Sequence, residues 1–480
     1  MRYSIVLKIL GFIVMCIGTS MLLAVPWSFY YGDNDYTGIL ISAAITLAAG
    51  SFFFFVFNNN AELRPKEGFA IVTFSWILFS CFGSLPYILT GTIPDFTDAF
   101  FETMSGFTTT GATILTDIEK LPHGILFWRS LTNWIGGMGI ILLSLAILPF
   151  LGVGGMQLYK AEVPGPMADK LKPRVTETAK ILWGVYLLLT VAETVLLLFG
   201  GMNLFDSLCH SFGTLATGGY STKNASIGHY DSAYIDYVII VFMTIAGINF
   251  SLHYRLIRGD IKSFIKNKEM RFFLFIILIA LILIGIDTYT TIYHDFFETL
   301  RKTLFQVISI LTTTGFGTAD YEEWSLSSNL ILFVMMFIGG TAGSTGGGMK
   351  VLRVYILLKF AYTEIVKLLH PQAVVPVRIG KNSIDRKTVT NIIGFFVIYM
   401  MIASLGTLIM SFLGLELDTA MGAVAATLNN IGPGLGTVGP TENYAHMPAA
   451  AKWLLSFFML LGRLEVFTVI ILLAPSFWKK

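Results

Sequence analysis

Four short runs of glycine and hydroxyl residues, each set between long apolar segments, constrain this chain more than any other feature. They are Thr108–Thr113 (T-T-T-G-A-T), Leu215–Thr222 (L-A-T-G-G-Y-S-T), Thr312–Thr318 (T-T-T-G-F-G-T) and Asn429–Gly439 (N-N-I-G-P-G-L-G-T-V-G). Lipid tolerates irregular backbone only where it is buried in protein or lines a wet cavity. Gly111, Gly218, Gly315 and Gly432 lie 107, 97 and 117 residues apart, so the pattern repeats. One Thr-Gly pair carries no information. Four, each after a short helix and at one period, predict segments that converge on one axis and form an ion filter.

The flanking segments belong in a membrane. Of 480 residues 55% are apolar and 13% charged, about half the charged share of a soluble domain. Mean hydropathy is +0.72. A net charge of +2 implies no polyanionic partner, so no nucleic acid. Cys16, Cys81 and Cys209 are scattered in or beside apolar runs and form no metal or redox spacing. The first apolar run, Ile5–Leu23, exceeds a signal-peptide core and reads as a retained membrane helix.

The expected fold is all-α. Two leading helices, Ile5–Tyr30 and Thr37–Phe57, join through the acidic turn Gly32-Asp33-Asn34-Asp35 and a charged connector follows with Glu62, Arg64, Lys66 and Glu67. They occupy 1–67. Four pore repeats follow at 68–155, 156–268, 269–370 and 371–480. Each reads as a membrane-length helix, a short helix, the filter stretch and a second long helix. The long helices are Gly68–Leu89 and Leu126–Leu151, Thr176–Phe199 and Ala233–Leu256, Met270–Tyr289 and Asn329–Phe360, Thr388–Leu413 and Ala450–Phe477. The short ones, Asp95–Phe107, Leu204–Phe212, Phe296–Leu311 and Asp418–Leu428, fall below the ~20 residues a span needs and read as re-entrant. Asp98, Asp206, Glu298 and Asp418 place an acid in each first turn. An acid there suits the helix dipole and leaves the negative end facing the filter, useful for a cation; it also serves as an ordinary cap.

Lysine and arginine set the orientation. The links hold Lys160, Lys170, Lys172, Arg174 and Lys180; Arg255, Arg258, Lys262, Lys266, Lys268 and Arg271; and Lys350, Arg353, Lys359, Lys367, Arg378, Lys381, Arg386 and Lys387. The loops after the filters carry only Lys120 and Lys223. Filters therefore open outward, and ten spans put both termini in the cytoplasm.

The chemistry of the stretches suits a monovalent cation. Glycine lets successive carbonyls point one way, and bare carbonyls replace a hydration shell, with moderate dipoles favouring potassium over sodium. The expected ligand positions are Thr110-Gly111, Thr217-Gly218, Thr314-Gly315 and Ile431-Gly432, with threonine hydroxyls adding oxygens. Ile431 departs from the other three and offers none. A second small-residue run, G-G-T-A-G-S-T-G-G-G-M-K at 339–350, interrupts the third repeat's long second helix. It reads as a broken span or a close helix-packing site. It is not a phosphate loop, since Lys350 does not follow the last glycine directly. Arg463 sits inside an apolar span, where an unpaired charge is costly. It reads as half of a salt bridge, with Glu465 a candidate, or as a positive charge in the pore. The seven histidines show no ligand spacing, Gly152, Gly154 and Gly155 end a helix, and Glu193 and Asp287 read as packing partners. No nucleophile–base pair, carboxylate dyad or nucleotide-binding pattern is present, so neither an enzyme nor a bound cofactor is expected.

The four filter stretches, the N-N-I-G-P-G-L-G run and the leading helix pair together resemble the TrkH/TrkG/KtrB superfamily of potassium transporters, over essentially the whole chain. KtrB-like members are shorter and usually lack the leading pair, which favours the TrkH branch. The resemblance implies potassium uptake through a pseudo-fourfold pore in a bacterial cytoplasmic membrane, a homodimer within the lipid, and control by a TrkA-like cytoplasmic nucleotide-binding subunit. It also implies that 339–350 is a gate loop below the filter, worked by Gly339, Gly340, Gly343, Gly346, Gly347 and Gly348. An arginine at the position of Arg463 faces the pore in that family. Some plant relatives with serine at the first filter glycine pass sodium; Gly111 stands there here. A sodium-permeable or sodium-coupled relative of the same fold is the nearest alternative. An organic-solute carrier fits less well, because such carriers usually show twofold inverted repeats.

Overall fold

The leading pair packs through glycine. Helix Tyr3–Met21 lies against Tyr36–Val56, and a methyl added at Gly11 would meet the Gly50 carbonyl oxygen at 2.7 Å. Close backbone approach through small residues is how helices associate in lipid. The acidic turn between them is a cap for another element. Asp33 Oδ2 accepts from the His123 backbone N–H at 2.7 Å, and Asp35 Oδ2 from that of Ile125 at 2.9 Å. Both carboxylates sit at the positive N-terminal end of helix His123–Trp134. The extra pair is thereby tied to the first repeat.

The computed structural model describes residues 2–57, 63–139, 175–380 and 382–479. The end of the first repeat's second helix up to Leu151, the glycines at 152, 154 and 155, and Glu62, Lys160, Lys170, Lys172, Arg174 and Lys381 lie outside the described residues. Among those described, six helices are long and apolar enough to cross a membrane: Tyr3–Tyr31, Tyr36–Val56, Lys66–Leu89, Glu177–Phe199, Lys268–Tyr293 and Arg386–Phe412. The last four are the first helices of the four repeats. Four short helices follow them, Phe96–Phe107, Leu204–Leu215, Phe296–Leu311 and Leu417–Leu428, of 12, 12, 16 and 12 residues. Asp95, Asn203 and Asp295 cap three of them by accepting from the third backbone N–H. The expected first-turn acids are all in place.

The second long helices depart from the expectation of continuous spans in two repeats. Ala233–Ala246 and Phe250–Ile257 meet at 104°, and Ala449–Arg463 and Phe467–Leu473 at 119°. In the second repeat Asn249 starts the new helix by accepting from the Ser251 N–H at 2.8 Å. In the fourth, Glu465 and Val466 take φ of +55° and +56°, a conformation that a β-branched residue adopts only when its surroundings force it. The third repeat breaks where expected, into Leu326–Met336 and Val351–Leu369. The first loosens into a π turn at Ile135–Gly139 directly after Trp134. Among the described residues, every second helix thus departs from α-helical regularity. The segment before the fourth repeat's first long helix carries a small antiparallel pair, Arg378–Ile379 with Asn382–Ser383.

Candidate functional site

Each pore helix ends in one turn of fixed geometry. A backbone N–H reaches back five residues: Thr110 to Ser105, Gly218 to Gly213, Thr314 to Ser309 and Ile431 to Ala426, at 2.8–2.9 Å. The residue before it has a left-handed backbone, φ +53° at Thr109, +53° at Thr217, +61° at Thr313 and +55° at Asn430. The residue after it is left-handed too, φ +81° at Gly111, +66° at Gly219, +80° at Gly315 and +99° at Gly432. Three of the expected pairs, Thr110-Gly111, Thr314-Gly315 and Ile431-Gly432, therefore hold one register. The second is shifted by one residue. Gly219, not Gly218, occupies the place of Gly111, and Gly218 occupies that of Thr110. Two adjacent glycines in the second stretch left this register open, and only the hydrogen bonds distinguish them.

The four strands close on each other. A methyl at Gly111 would lie 2.4 Å from the Gly218 carbonyl oxygen, one at Gly219 2.0 Å from that of Thr314, one at Gly315 1.9 Å from that of Ile431, and one at Gly432 2.6 Å from that of Thr110. Each repeat's glycine faces the next repeat's carbonyl, and the fourth returns to the first. The carbonyls of Thr110, Gly218, Thr314 and Ile431 therefore stand at one level around one axis. The hydroxyls of Thr110 and Thr314 are engaged sideways, with Thr108 and Thr312 at 2.8 Å. Asn430 Nδ2 donates to Thr110 Oγ1 at 3.0 Å. The missing hydroxyl at Ile431 is thus a difference in packing around the ring.

Under the ring lie the loop 339–350 and Arg463. The Gly347 N–H donates to Thr313 Oγ1 at 2.6 Å. A methyl at Gly346 would lie 2.8 Å from the Thr312 carbonyl oxygen, and one at Gly347 2.2 Å from that of Asn429. The loop also seats on the break in the second repeat, where the Thr341 N–H donates to the Gly247 carbonyl at 2.9 Å and the Phe250 N–H to that of Gly343 at 3.1 Å. Gly339 and Gly348 press together, with a methyl on Gly348 meeting the Gly339 Cα at 2.9 Å, and a methyl on Gly340 would meet the Gly247 carbonyl at 3.0 Å. Arg463 reaches across to three elements. Its Nη1 donates to Thr109 Oγ1 at 3.1 Å and the Thr345 carbonyl at 2.8 Å, and its Nη2 to the carbonyls of Gly136 and Gly137 at 2.6 and 2.5 Å. Glu465 pairs with Arg353, so the expected alternative of an Arg463–Glu465 bridge is replaced by another partner for that acid.

Behind the filters sequence reasoning missed a set of braces. Eight residues before the ring position stand Glu102, His210, Gln306 and Ala423. Glu102 is fully buried, pairs with Arg129 at 2.7 Å and accepts from Thr113 and the Ile114 N–H. Arg129 Nη1 donates to the Ser221 carbonyl at 2.9 Å, so this pair spans two filter strands. His210 meets Ser221 Oγ at 2.9 Å, and Gln306 donates to the Ala319 carbonyl at 2.9 Å. At Ala423 no such group exists, and two tyrosines serve instead: Tyr444 donates to the Gly432 carbonyl and Tyr321 to that of Gly434, both at 2.7 Å. A charged residue in the interior of an apolar short helix was the available signal for Glu102. Asp287 accepts from the hydroxyls of Ser325 and Ser328 at the start of Leu326–Met336, as a packing partner would; Glu193 is buried, with neither carboxylate oxygen hydrogen-bonded among the described residues. Among the described residues no cluster of His, Cys, Asp and Glu is arranged to hold a metal.

The family model TrkH, described as a cation transport protein, matches residues 37–480. The chain is 42% identical to the Trk system potassium uptake protein TrkH of Halomonas elongata and 41% identical to that of Escherichia coli K12, in both cases over all of each chain. It is 36% identical to the Trk system potassium uptake protein TrkG of the latter organism, over 99% of this chain and 98% of the relative. The crystal structure of the potassium transporter TrkH from Vibrio parahaemolyticus superposes with a TM-score of 0.90 at 37% identity, covering all of both chains.

Proposed function

The chain belongs to the TrkH family of cation transport proteins, and on that premise we propose that it takes up potassium through the axis enclosed by its four filter strands. The closed ring of glycine-to-carbonyl contacts carries this reading. A potassium ion leaving water gains the carbonyls of Thr110, Gly218, Thr314 and Ile431 at one level and those of Gly111, Gly219, Gly315 and Gly432 at the next. These dipoles compensate the dehydration of potassium better than that of sodium. The strands cannot easily draw inward around a smaller ion, because each glycine already abuts its neighbour's carbonyl.

The loop 339–350 and Arg463 form the gate. Both occupy the exit of the filter and bind its lowest side chains, Thr313 and Thr109. A guanidinium there opposes a cation as well as filling its path. Conduction requires the loop to leave the break in the second repeat and Arg463 to release Thr345. A TrkA-like nucleotide-binding subunit on the cytoplasmic side supplies the work, and the protein acts as a homodimer in a bacterial cytoplasmic membrane with both termini inside.

The test is rubidium-86 uptake into liposomes holding the purified protein, with potassium, sodium or caesium as competitor. Potassium should block uptake and sodium should hardly affect it. Equal competition by the two would refute the potassium-selective ring.

A further inference from the structure

The second filter strand lacks what the other three carry. At the position two residues before the ring stand Thr108, Thr312 and Asn429, but Ala216 in the second repeat. At the ring position stand Thr110, Thr314 and Ile431, but Gly218. The second strand alone has no polar side chain at either place, and it contains two glycines in succession. It has the most backbone freedom of the four.

Asn133 fills the space. It belongs to helix His123–Trp134 of the first repeat and is fully buried. A methyl at Gly218 would lie 2.6 Å from its Cγ and Nδ2 and 2.9 Å from its Oδ1. Gly218 is not left-handed, unlike Gly219. Its backbone would accept a side chain, and the three atoms nearest to one all belong to Asn133. Both polar atoms of this amide lack a hydrogen-bond partner among the described residues. Buried amides are nearly always satisfied, and a polar pocket of this kind commonly holds a water molecule. Packing alone would be better served by an apolar side chain.

We infer that Asn133 is a positioning residue for ion selection, holding the Gly218–Gly219 strand in place by direct contact and through a water bound to its amide. The inference rests on the potassium reading above. Discrimination against sodium needs a ring that does not yield to a smaller ion. The strand of two glycines is where it would yield, and Asn133 is what stands behind it.

The experiment uses the full chain in detergent, with the unfolding midpoint followed as potassium or sodium chloride is added, so that the gate's state does not matter. Ion binding to the folded protein raises the midpoint and yields an apparent affinity for each ion. Asn133→Ala should lower the preference for potassium roughly fivefold, the scale of one buried hydrogen bond. Gly218→Ala should lose the ion response, because its methyl has no room. The double variant Asn133→Ala/Gly218→Ala should recover preference, the new side chain stiffening the strand in the vacated space. A wild-type preference in Asn133→Ala, or in Gly218→Ala alone, would overturn the inference. If Asn133→Ala does not purify as a folded protein, the double variant decides: recovery supports the role, and failure there too makes Asn133 a packing residue only. Absence of any potassium preference in the unaltered chain would instead overturn the potassium reading beneath it.

Discussion

Among the described residues, replacing Arg463 with alanine removes at least four hydrogen bonds, and they do different things. Two hold the Gly136 and Gly137 carbonyls of the first repeat, one holds Thr109 at the filter, and one holds the Thr345 carbonyl of the loop. Only the last fixes the loop directly. A hydrogen bond to a charged group contributes ~1.5–3 kcal/mol, which corresponds to a shift of roughly ten- to hundredfold between closed and open states. The loop keeps its own bond from Gly347 to Thr313, so closure weakens without being abolished. Rubidium-86 uptake into liposomes, measured without any partner protein, should rise by that factor. Arg463→Lys separates charge from geometry: lysine keeps the charge but cannot span Thr109, Thr345 and the two glycine carbonyls together. It should leak less than alanine and more than the unaltered chain. Selection of potassium over sodium should be unchanged in both, because none of these four bonds goes to a carbonyl of the ring. Uptake by Arg463→Ala at the level of the unaltered chain would refute this account, as would a rise in flux accompanied by lost selectivity.

Gly315→Ala should abolish selective uptake, since its methyl would lie 1.9 Å from the Ile431 carbonyl oxygen, whereas Gly317→Ala, with open space at that point, should transport normally in the same assay. Glu102→Gln or Arg129→Met, each leaving one buried member of the pair, should lower stability by ~3–5 kcal/mol in a detergent unfolding titration, and the double replacement should recover part of that loss. Stability should also depend on Glu322, in the loop after the third filter. Burial above all raises its pKa, against the Gly436 N–H it accepts and with Asp320, Asp418 and Glu442 adding to the rise. The folded protein then holds that proton more readily than the unfolded chain, so the group's ionisation destabilises as pH increases through its folded value. The unfolding midpoint should therefore rise as pH falls from neutral toward that window, and Glu322→Gln should flatten this part of the curve.

The sequence made the fold legible because lipid leaves so few choices: apolar length marked the spans, and short apolar helices marked the re-entrant elements. It was less legible where two local solutions look alike in one dimension. Thr217-Gly218-Gly219 offers two registers, and the choice depends on a bond to Gly213 and on contact with Thr314. The bend at Gly247–Asn249 and the one after Arg463 lie within hydrophobic runs that read as unbroken, because the groups packed against them lie far off in sequence: the loop 339–350 of the third repeat for the first, and the Leu428 carbonyl against Gly462, from an earlier helix of the same repeat, for the second. Arg463 was visible as a costly charge, but Thr109, Gly136, Gly137 and Thr345 were not visible as its acceptors, since these four lie far from it in sequence. Asn133 left no signal, because its meaning depends on an alanine and a glycine some eighty residues away.

The glycine-to-carbonyl ring joins four stretches of one polypeptide rather than four copies of one subunit. A channel assembled from identical subunits must apply any change at every corner. Here each corner mutates alone, so a device can be installed once: one loop, one guanidinium, one asparagine. On the proposed reading, an ion meets the same kind of backbone at all four corners, while the scaffold around the ring is free to be lopsided. Opening such a pore need not preserve any symmetry, and a regulator pushing from one side is sufficient.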